Sequence, residues 1–359
     1  MEMGVDWSDL PQEIIESISK KLTIYVDYLR FRCVCRSWNS SVPKTPLHLP
    51  PQLPWLMISH NSFFDLSTNK IHHLNLPMPS GPTRICGSSH GWLVILKQTS
   101  ELTLLNPITG ATLSLPSLQT FPELVTRVFD YRHNNLYLIK VVLSASPSLS
   151  DDDFFAFAIL NRRNFAFCKK GYDSWVLLDV IENQTWIDAI YNNGSFYVTS
   201  MSGGTFAVCD VEGPRISFIQ KKTSKYDDNY ISYALFDGED MFLVHRYVTE
   251  EEEPQDLEPY PDMLTEMFWI YKMNWNVLEW EEIQTLGEHS VFIGKNSSLY
   301  FSAADFVGCR PNCIYFTDDA GKHDFGIYNV SSKRIDPLPC YPHKSNCGFG
   351  YPVWVTPNP

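Results

Sequence analysis

The sequence predicts a small all-α module followed by an all-β domain, which we interpret as a roughly six-bladed β-propeller. Three features predict this order: amphipathic helical segments near the N-terminus, a proline-rich segment after them, and a hairpin phrase that recurs through the rest of the chain. With 359 residues, 44% of them hydrophobic, the chain can bury one large core or two unequal ones. We assign residues 5–42 to the helical module, 43–54 to a linker and 55–359 to the propeller.

Residues 8–41 have the pattern of two amphipathic helices. Pro11 suits the first turn of a helix, where its missing N–H group is not needed. One apolar stripe at helical spacing follows, made of Ile14, Ile15, Ile18 and Leu22. A second helix is predicted from about Asp27, with Leu29, Phe31, Val34 and Trp38 as its apolar members. Because so small a module cannot bury its own stripes fully, we expect it to lean on another surface.

A proline-rich segment separates the two domains. PKTPLHLPPQLP, residues 43–54, carries five prolines, a composition typical of a semi-rigid, extended linker. From Trp55 onward, short strand-like runs such as WLMIS, GWLVIL, FFAFAIL and CIYFTDD alternate with Gly, Asn, Asp and Pro. This alternation predicts an all-β domain.

The strands repeat a phrase: an apolar strand, an Asp or Asn, a polar turn, and a second strand. Its copies are FFDLSTNKIHHLNLP at 63–77, LLNPITGATLSLP at 104–116, IYNVSSKRIDPLP at 327–339 and, more faintly, VCDVEGPRISFIQ at 208–220. A hairpin that recurs in this way is typical of radially repeated sheets, and four-stranded blades of about 40 to 50 residues would number about six. A pair of large β-sandwiches is the alternative, and it would not need the recurrence.

The acidic segment EEEEPQDLEPYPD, residues 250–262, departs from the strand pattern. The simpler interpretation is a solvated loop between two strands of one blade, and the other is a docking strip for a basic partner.

Composition excludes several classes of partner. The formal net charge is -13, which argues against a general affinity for nucleic acid or for an anionic membrane, because both need clustered Lys and Arg. The acidic first residues lack the apolar core of a secretory signal, and no apolar run approaches the ~20 residues of a membrane helix. We therefore expect an intracellular protein in the cytoplasm, the nucleus or both, with no membrane and no nucleic acid as partners.

Candidate catalytic and metal sites are weak. GSSHG at 87–91 satisfies the G-x-S-x-G motif with Ser89 as nucleophile, but the strand-like WLVIL follows where the motif requires a helix. We therefore interpret GSSHG as a tight turn between two blade strands. Nine cysteines are expected to be thiols. Cys309 and Cys313 lack a matching second pair for zinc, and we predict no catalytic residue, no metal and no cofactor.

The stretch RFRCVC raises a separate question about Cys33 and Cys35. In a continuous helix two residues at this spacing point about 200° apart, so their thiols would share neither a metal nor a disulfide. The three neighbouring arginines spread around the helix and do not converge on one anion. We expect an interfacial helix with Val34, Cys35 and Trp38 on its buried side.

These helices resemble the F-box family, whose features are an early Leu-Pro, an acidic residue two positions later, apolar helix positions and a late Val-Cys-x-x-Trp. The matching positions are Leu10, Pro11, Glu13, Ile14, Ile15, Ile18, Leu22, Leu29, Val34, Cys35, Arg36 and Trp38. The phrases GSSHGWL, LLNPITGATLSLP, CIYFTDD and FGIYNV are similar to plant F-box proteins whose C-terminal part is a KIB-type β-propeller, earlier catalogued as domain of unknown function 295. This second resemblance spans most of residues 55–359 and also favours the propeller.

The resemblance implies a non-catalytic, substrate-recruiting subunit of an SCF (Skp-cullin-F-box) E3 ubiquitin ligase. The F-box would dock on a Skp-type adaptor, and through it on cullin, while the propeller binds a protein target for ubiquitination. The twelve matching residues are the expected adaptor-binding set, some of them as the module's own core. The alternatives are a ligase-independent propeller that binds proteins, with the F-box as an anchor only, and a propeller hydrolase using Ser89.

Overall fold

A computed structural model describes most of the chain. The residues that it describes are 6–44, 46, 48–50, 52–79, 81, 83–120, 138–147, 153–178, 184–201, 205–210, 215–220, 230–250, 263–317, 324–340 and 352–357. The acidic segment joins two strands that end at Glu250 and begin at Met263, and its residues 251–262 lie outside the described residues.

The helical module begins with a 3-10 turn and continues with three short helices. They are Trp7–Asp9, then α1 Gln12–Ser19, α2 Tyr25–Arg32 and α3 Arg36–Ser41. The prediction of one continuous second helix is wrong, because the chain breaks between α2 and α3. Cys33 ends α2, while Cys35 has an extended backbone and its Sγ accepts a hydrogen bond from the Trp38 amide at 3.5 Å. The thiol thus takes the N-cap position that a serine hydroxyl usually occupies.

The described strands form six separate sheets, which confirms the propeller with six blades and excludes the pair of sandwiches. Blade 1 contains β1 Trp55–Ser59, β2 Ser62–Asp65 and β3 Lys70–His73, and blade 2 contains β4 Thr83–Ser89, β5 Trp92–Lys97, β6 Leu102–Leu105 and β7 Thr112–Leu115. Blade 3 contains β8 Leu138–Leu143, β9 Phe155–Leu160, β10 Asn164–Lys169 and β11 Val176–Leu178, and blade 4 contains β12 Trp186–Asn192, β13 Ser195–Ser200, β14 Thr205–Asp210 and β15 Arg215–Gln220. Blade 5 contains β16 Tyr230–Asp237, β17 Asp240–Glu250, β18 Met263–Asn274 and β19 Glu279–Ile283. Blade 6 contains β20 His289–Ile293, β21 Leu299–Ser302, β22 Cys313–Phe316, β23 Gly326–Asn329 and β24 Arg334–Asp336, and a last strand, β25 Val353–Val355, joins blade 1.

Ring closure takes place in blade 1. There β25 pairs antiparallel with β1, so that the last strand of the chain lies in the same sheet as the first strands of the propeller. The Trp354 side chain is fully buried, and its ring lies edge-on to Phe292 of blade 6 with centroids 5.1 Å apart. Buried apolar clusters lie between neighbouring blades all around the ring. Each blade therefore buries both of its faces against its two neighbours.

The recurring phrase corresponds to the turn between the last two strands in the order of a blade's sheet, such as β6–β7 in blade 2 and β23–β24 in blade 6. In its first three copies the Asp or Asn is Asp65, Asn106 or Asn329, and its side-chain Oδ1 accepts a backbone N–H two or three positions later at 2.8 to 3.0 Å. The fainter copy has Asp210 at the end of the third strand. Blade 5 has the same device, missed in the sequence, in which Asn274 Oδ1 accepts the Asn276 amide at 3.1 Å. Such side-chain caps explain the recurrence of Asp and Asn at this position.

Blade 6 departs from the four-stranded, antiparallel pattern. Its hairpin partner β21 lies on one side of β20, and β22 pairs in parallel with β20 on the other side. Because β21 already occupies one edge of β20, the chain must cross over through residues 303–312 before it can extend the sheet. Gly308 in this crossover lies against the Leu66 carbonyl of blade 1, where a Cβ atom would clash.

A buried polar network around one ion pair joins blades that are not all neighbours in the ring. Lys140 Nζ of blade 3 donates to Asp188 Oδ1 of blade 4, and also to the carbonyl oxygens of Gly294 at 3.1 Å and Asn296 at 2.6 Å, which follow β20 in blade 6. Asp188 Oδ2 accepts the Ala234 amide of blade 5 at 3.3 Å. Only the axis of a six-bladed ring brings blades 3 and 6 together, so this network fills the centre of the propeller.

A second buried polar group lies inside blade 5. His245 is almost fully buried, its Nδ1 lies 2.8 Å from Ser232 Oγ, and the rings of Tyr230 and Tyr271 pack beside it. Burial lowers the pKa of His245 from its ordinary value of 6.5 to about 4. The imidazole is therefore neutral in the folded protein at neutral pH.

We expect removal of one partner of the axial ion pair to destabilise the propeller strongly. Lys140→Met leaves the Asp188 carboxylate buried without its cation, which costs roughly 3 to 5 kcal/mol of unfolding free energy. The double variant Lys140→Met with Asp188→Leu should recover part of that loss. Urea denaturation measures the free energy of unfolding of the single and the double variant. Lys97→Met is the matched control, because the Lys97–Glu101 pair is partly exposed and stabilises the fold by at most about 1 kcal/mol. Equal losses for Lys140→Met and Lys97→Met would contradict the prediction.

Stability should also fall in mild acid because of His245. As the pH falls, the unfolded chain binds the imidazole proton first, so the contribution of neutral His245 is complete above about pH 6.5 and is lost progressively towards pH 4. The loss is at most roughly 3 kcal/mol. Chemical denaturation across this pH range should show a weaker acid dependence for His245→Gln than for wild type. An identical pH dependence in wild type and His245→Gln would refute this assignment.

Candidate functional site

The helical module has a small apolar core of its own. Ile15, Tyr25, Tyr28, Phe31 and Val42 are buried together. The predicted site residues that pack partly against this core are Leu10, Ile18, Leu22, Leu29 and Trp38. Burial raises the pKa of Tyr25 to about 12, so that its hydroxyl stays protonated. About half of the predicted adaptor-binding set is thus needed to hold the three helices together.

Other members of the predicted set point to solvent. Ile14 on α1 is 48% exposed and Val34, between α2 and α3, is 57% exposed, while Pro11, Glu13 and Arg36 are exposed as well. The expectation that Val34 lies on a buried side is wrong, because the break between α2 and α3 turns it outward. Cys35 and Trp38 are half-buried. Exposed apolar side chains on so small a module form a surface suited to a partner protein.

The arginines of RFRCVCR have separate partners. Arg30 forms an exposed pair with Asp27 at 3.1 Å, and Arg32 donates to Asn39 Oδ1 at 2.9 Å. Their side chains do not converge on a common anion position. The indole Nε1 of Trp38 donates to the Trp7 carbonyl at 2.9 Å, which holds the N-terminal 3-10 turn on α3.

The module packs against blades 1 and 2 of the propeller. Its small size predicted that it would need contact with another surface. Val26 of α2 is buried in the cluster between these blades. Ile108, in the turn between β6 and β7, contacts that cluster and the core of the helical module as well. Asn106 Oδ1 accepts the Ile108 and Thr109 amides at 3.0 Å, which fixes the turn that presents Ile108. Sequence reasoning missed Val26 and Ile108, although an isoleucine in an otherwise polar turn was a signal.

The proline-rich segment is also held against the helices. The Tyr28 hydroxyl donates to the Pro43 carbonyl at 2.7 Å, and the His48 ring nitrogen lies 3.0 Å from the Ser19 carbonyl. Gln52 Nε2 donates to the Thr23 carbonyl at 2.8 Å. Together with Val26 and Ile108, these bonds attach the module to the propeller through several independent contacts.

Ser89 is a structural residue in blade 2. It ends β4, and His90 and Gly91 at positive φ form the two-residue turn to β5, which confirms the turn interpretation of GSSHG. The side chain is 3% exposed, and its Oγ accepts the Leu143 amide at 3.3 Å and the Ser297 hydroxyl at 3.1 Å. A buried hydroxyl in such bonds between blades cannot reach a substrate.

The cysteines provide no metal site within the described part of the chain. Cys309 and Cys313 are buried free thiols, and burial raises the pKa of each. Among the described residues, no three His, Cys, Asp or Glu side chains are placed to hold a metal ion. His323, His343 and Cys347, which accompany these cysteines in the sequence, lie outside the described residues.

No helix among the described residues combines the length and apolar character that crossing a bilayer requires.

Two family models match the chain. The KIB1-4 beta-propeller model matches residues 63–329, and the F-box domain model matches residues 7–49. Both agree with the resemblances found in the sequence, and neither describes an enzyme family.

Several Arabidopsis thaliana F-box proteins are similar to the chain over most of its length. F-box protein At2g26160 is 26% identical over 336 residues, covering 88% of this chain and 97% of that protein. Putative F-box protein At3g25750 is 25% identical over 336 residues, covering 87% of each. F-box protein SKIP23 is 25% identical over 401 residues, covering 98% of this chain and 96% of that protein. The match to SKIP23, which covers 98% of this chain, spans the helical module and the propeller together.

We expect Ile108→Asp to separate the helical module from the propeller. A carboxylate in this half-buried apolar contact is poorly solvated and removes the packing that joins the two domains. Calorimetry should then show an early transition of the module ahead of the main transition, with faster amide exchange in α2. Ile71→Asp, on the exposed edge strand of blade 1, is the control and should leave both unchanged. A single unaltered transition in Ile108→Asp would show that this contact does not couple the domains.

Proposed function

Because the chain belongs to the KIB1-4 beta-propeller family and carries an F-box domain, we propose that it is the substrate-recognition subunit of an SCF E3 ubiquitin ligase. The F-box docks on a Skp-type adaptor and through it on cullin. The propeller binds a protein target and holds it for ubiquitination. The alternative is a propeller that binds proteins without a ligase.

The exposed apolar residues of the F-box carry this proposal. The module's core is filled by its own helices, the proline-rich segment and Ile108 of blade 2, yet Ile14 and Val34 remain 48% and 57% exposed. Pro11 directly precedes α1 and is exposed as well, and Leu10 before it is half-buried. Desolvation of such side chains by a partner is favourable by about 25 cal/mol per Å² of apolar area.

The attachment of the F-box to blades 1 and 2 supports a positioning role. A ligase subunit accelerates transfer by holding the acceptor lysine near the charged enzyme, and this gain depends on restricted relative motion. The contacts of Val26 and Ile108 with both domains restrict how the propeller moves relative to the adaptor. The protein itself needs no nucleophile or cofactor for this role, which agrees with the buried, hydrogen-bonded state of Ser89.

The adaptor interaction is tested best with exposed residues. We expect Ile14→Asp with Val34→Asp to reduce adaptor binding by at least about 100-fold, because interface anchors are typically worth about 2 kcal/mol or more each. The measurement is co-purification and titration of the full chain with a Skp-type adaptor. Val307→Asp is the matched control, because Val307 is 80% exposed in blade 6, far along the chain from the F-box.

A second variant distinguishes adaptor contact from folding of the module. Leu10→Ala with Pro11→Ala should also abolish adaptor co-purification while the thermal transition of the propeller remains, but Leu10 packs on the module's core, so helix stability must be checked by circular dichroism. If wild type and both variants bind the adaptor equally, the assignment of these residues to the adaptor contact fails, and if none binds, the ligase proposal itself fails. The propeller would then be a protein-binding module that acts without a ligase.

A further inference from the structure

The turn between β18 and β19 in blade 5 exposes three large apolar side chains. Trp275 is 39% exposed, Val277 60% and Leu278 52%. The turn occupies the same place as the polar turns LSTN of blade 1 and VSSK of blade 6, which also join the last two strands in the order of their sheets. Polar residues suffice for solvated turns of this kind, so the apolar sequence WNVL is not required by the fold.

Blade 2 shows what an apolar residue does at this place. Its turn between the third and fourth strands presents Ile108, which packs into the core of the F-box. Blades 2 and 5 are three apart in a ring of six, so the two turns lie on opposite sides of the same face of the propeller. The turn of blade 2 is covered by a docked domain, whereas the turn of blade 5 is exposed.

The blade 5 turn is held in place by its own hydrogen bonds. Asn274 Oδ1 accepts the Asn276 amide at 3.1 Å, and Trp275 Nε1 donates to the Glu239 carbonyl of the neighbouring turn between β16 and β17 at 3.2 Å. Leu278 has a positive φ of 53°. The apolar side chains are therefore presented by a preorganised turn, which lowers the entropy lost on binding.

Carboxylates are frequent in the two chain segments that meet at this turn, where Trp275 bonds to Glu239. The two adjacent segments 237–240 and 274–282 contain six acidic residues and no Lys or Arg: Asp237, Glu239, Asp240, Glu279, Glu281 and Glu282. All of them are exposed except Asp240, which is half-buried and pairs with Lys272 at 2.7 Å. We call the residues 237–240 and 274–282 the blade 5 surface. Its charge is complementary to a basic partner.

We propose that the blade 5 surface binds a basic segment of the target protein, in which one or two apolar residues lie between Lys or Arg residues. The apolar residues of the target pack on Trp275, Val277 and Leu278, and its cations pair with carboxylates such as Glu239 and Glu279. This inference rests on the proposed function in that the propeller is taken as the target-binding domain. It adds the chemical class of the target and the place where it binds.

Charge excludes the other occupants of the blade 5 surface. The chain's own acidic segment 250–262 has the same sign of charge and would be repelled. A second copy docking by two-fold symmetry would bring two acidic surfaces together, which is unfavourable for the same reason. A basic segment is the occupant that the surface favours.

Fluorescence anisotropy with three labelled peptides tests the inference on the full-length protein. The peptides are Lys-Arg-Leu-Phe-Lys-Arg, the charge-reversed Glu-Asp-Leu-Phe-Asp-Glu, and Lys-Arg-Ser-Gly-Lys-Arg without the apolar pair. We expect the first to bind wild type at least about ten-fold tighter than the other two, with weaker binding at higher salt. No binding of the first peptide at ~1 mM, or equal binding of all three, would overturn the inference.

Two variants locate the binding. Val277→Ser with Leu278→Asn removes the apolar side chains and keeps the turn, because Asn tolerates a positive φ, and Glu239→Gln with Glu279→Gln removes charge alone. Each double variant should lower the affinity for the first peptide by about ten-fold or more. The control Ile335→Ser with Asp305→Asn, in blade 6, should leave this affinity unchanged. Unchanged binding in the first two variants places the peptide elsewhere and overturns the inference. Thermal transitions verify that every variant is folded.

Two further measurements separate this inference from other outcomes. Sedimentation velocity that shows a wild-type dimer, and a monomer for Val277→Ser with Leu278→Asn, would assign the surface to self-association and overturn the inference. Adaptor co-purification with the same variants should be unchanged. If wild type fails to bind the adaptor but binds the first peptide through the blade 5 surface, the ligase proposal fails and the basic-segment site stands.

Discussion

The pairing of the last strand with the first is the constraint on which the rest of the structure depends. With β25 added to β1, blade 1 is complete, and every blade has a neighbour on both sides. Without it, Trp354 would leave the cluster between blades 6 and 1, and the cluster that also holds Val26 of the F-box would lose Val353 and Val355. Closure of the ring and attachment of the F-box therefore depend on the same short strand.

Closure also creates the low-dielectric axis in which polar groups must be paired. Lys140 and Asp188 are almost fully buried there, and the carbonyl oxygens of Gly294 and Asn296 complete the coordination of the ammonium group. A buried charge pair is weak evidence for stability as such, but its partners come from blades 3, 4, 5 and 6. We interpret the pair as a device that fixes how these blades are arranged around the centre.

The same capped turn presents different residues in different blades of the ring. An Asp or Asn caps the turn between the last two strands of the sheet in four of the blades, and what the turn presents differs from blade to blade. In blade 2 it presents Ile108 to the F-box, and in blade 5 it presents Trp275, Val277 and Leu278 to solvent. A rigid repeated scaffold thus carries different contact residues at equivalent places on one face.

Apolar periodicity, a property of neighbouring residues, was sufficient to predict helices followed by strands and the location of most strands, and the length of a four-stranded blade predicted about six blades. The F-box was identified by its resemblance to a family, which the F-box domain model matches over residues 7–49. Local sequence was insufficient at Cys33–Cys35, where a thiol replaces the usual hydroxyl cap, and it missed the copy of the repeat at Asn274 because that turn is apolar. Local sequence also left open which residues of the F-box stripe face solvent, since Ile14 and Ile15 are equally apolar. Tertiary packing buries Ile15 and leaves Ile14 exposed. Only the closed tertiary structure brings Lys140 to Asp188 and Ile108 to α2, because these contacts join segments far apart in the chain, and no local pattern encodes the distance between them.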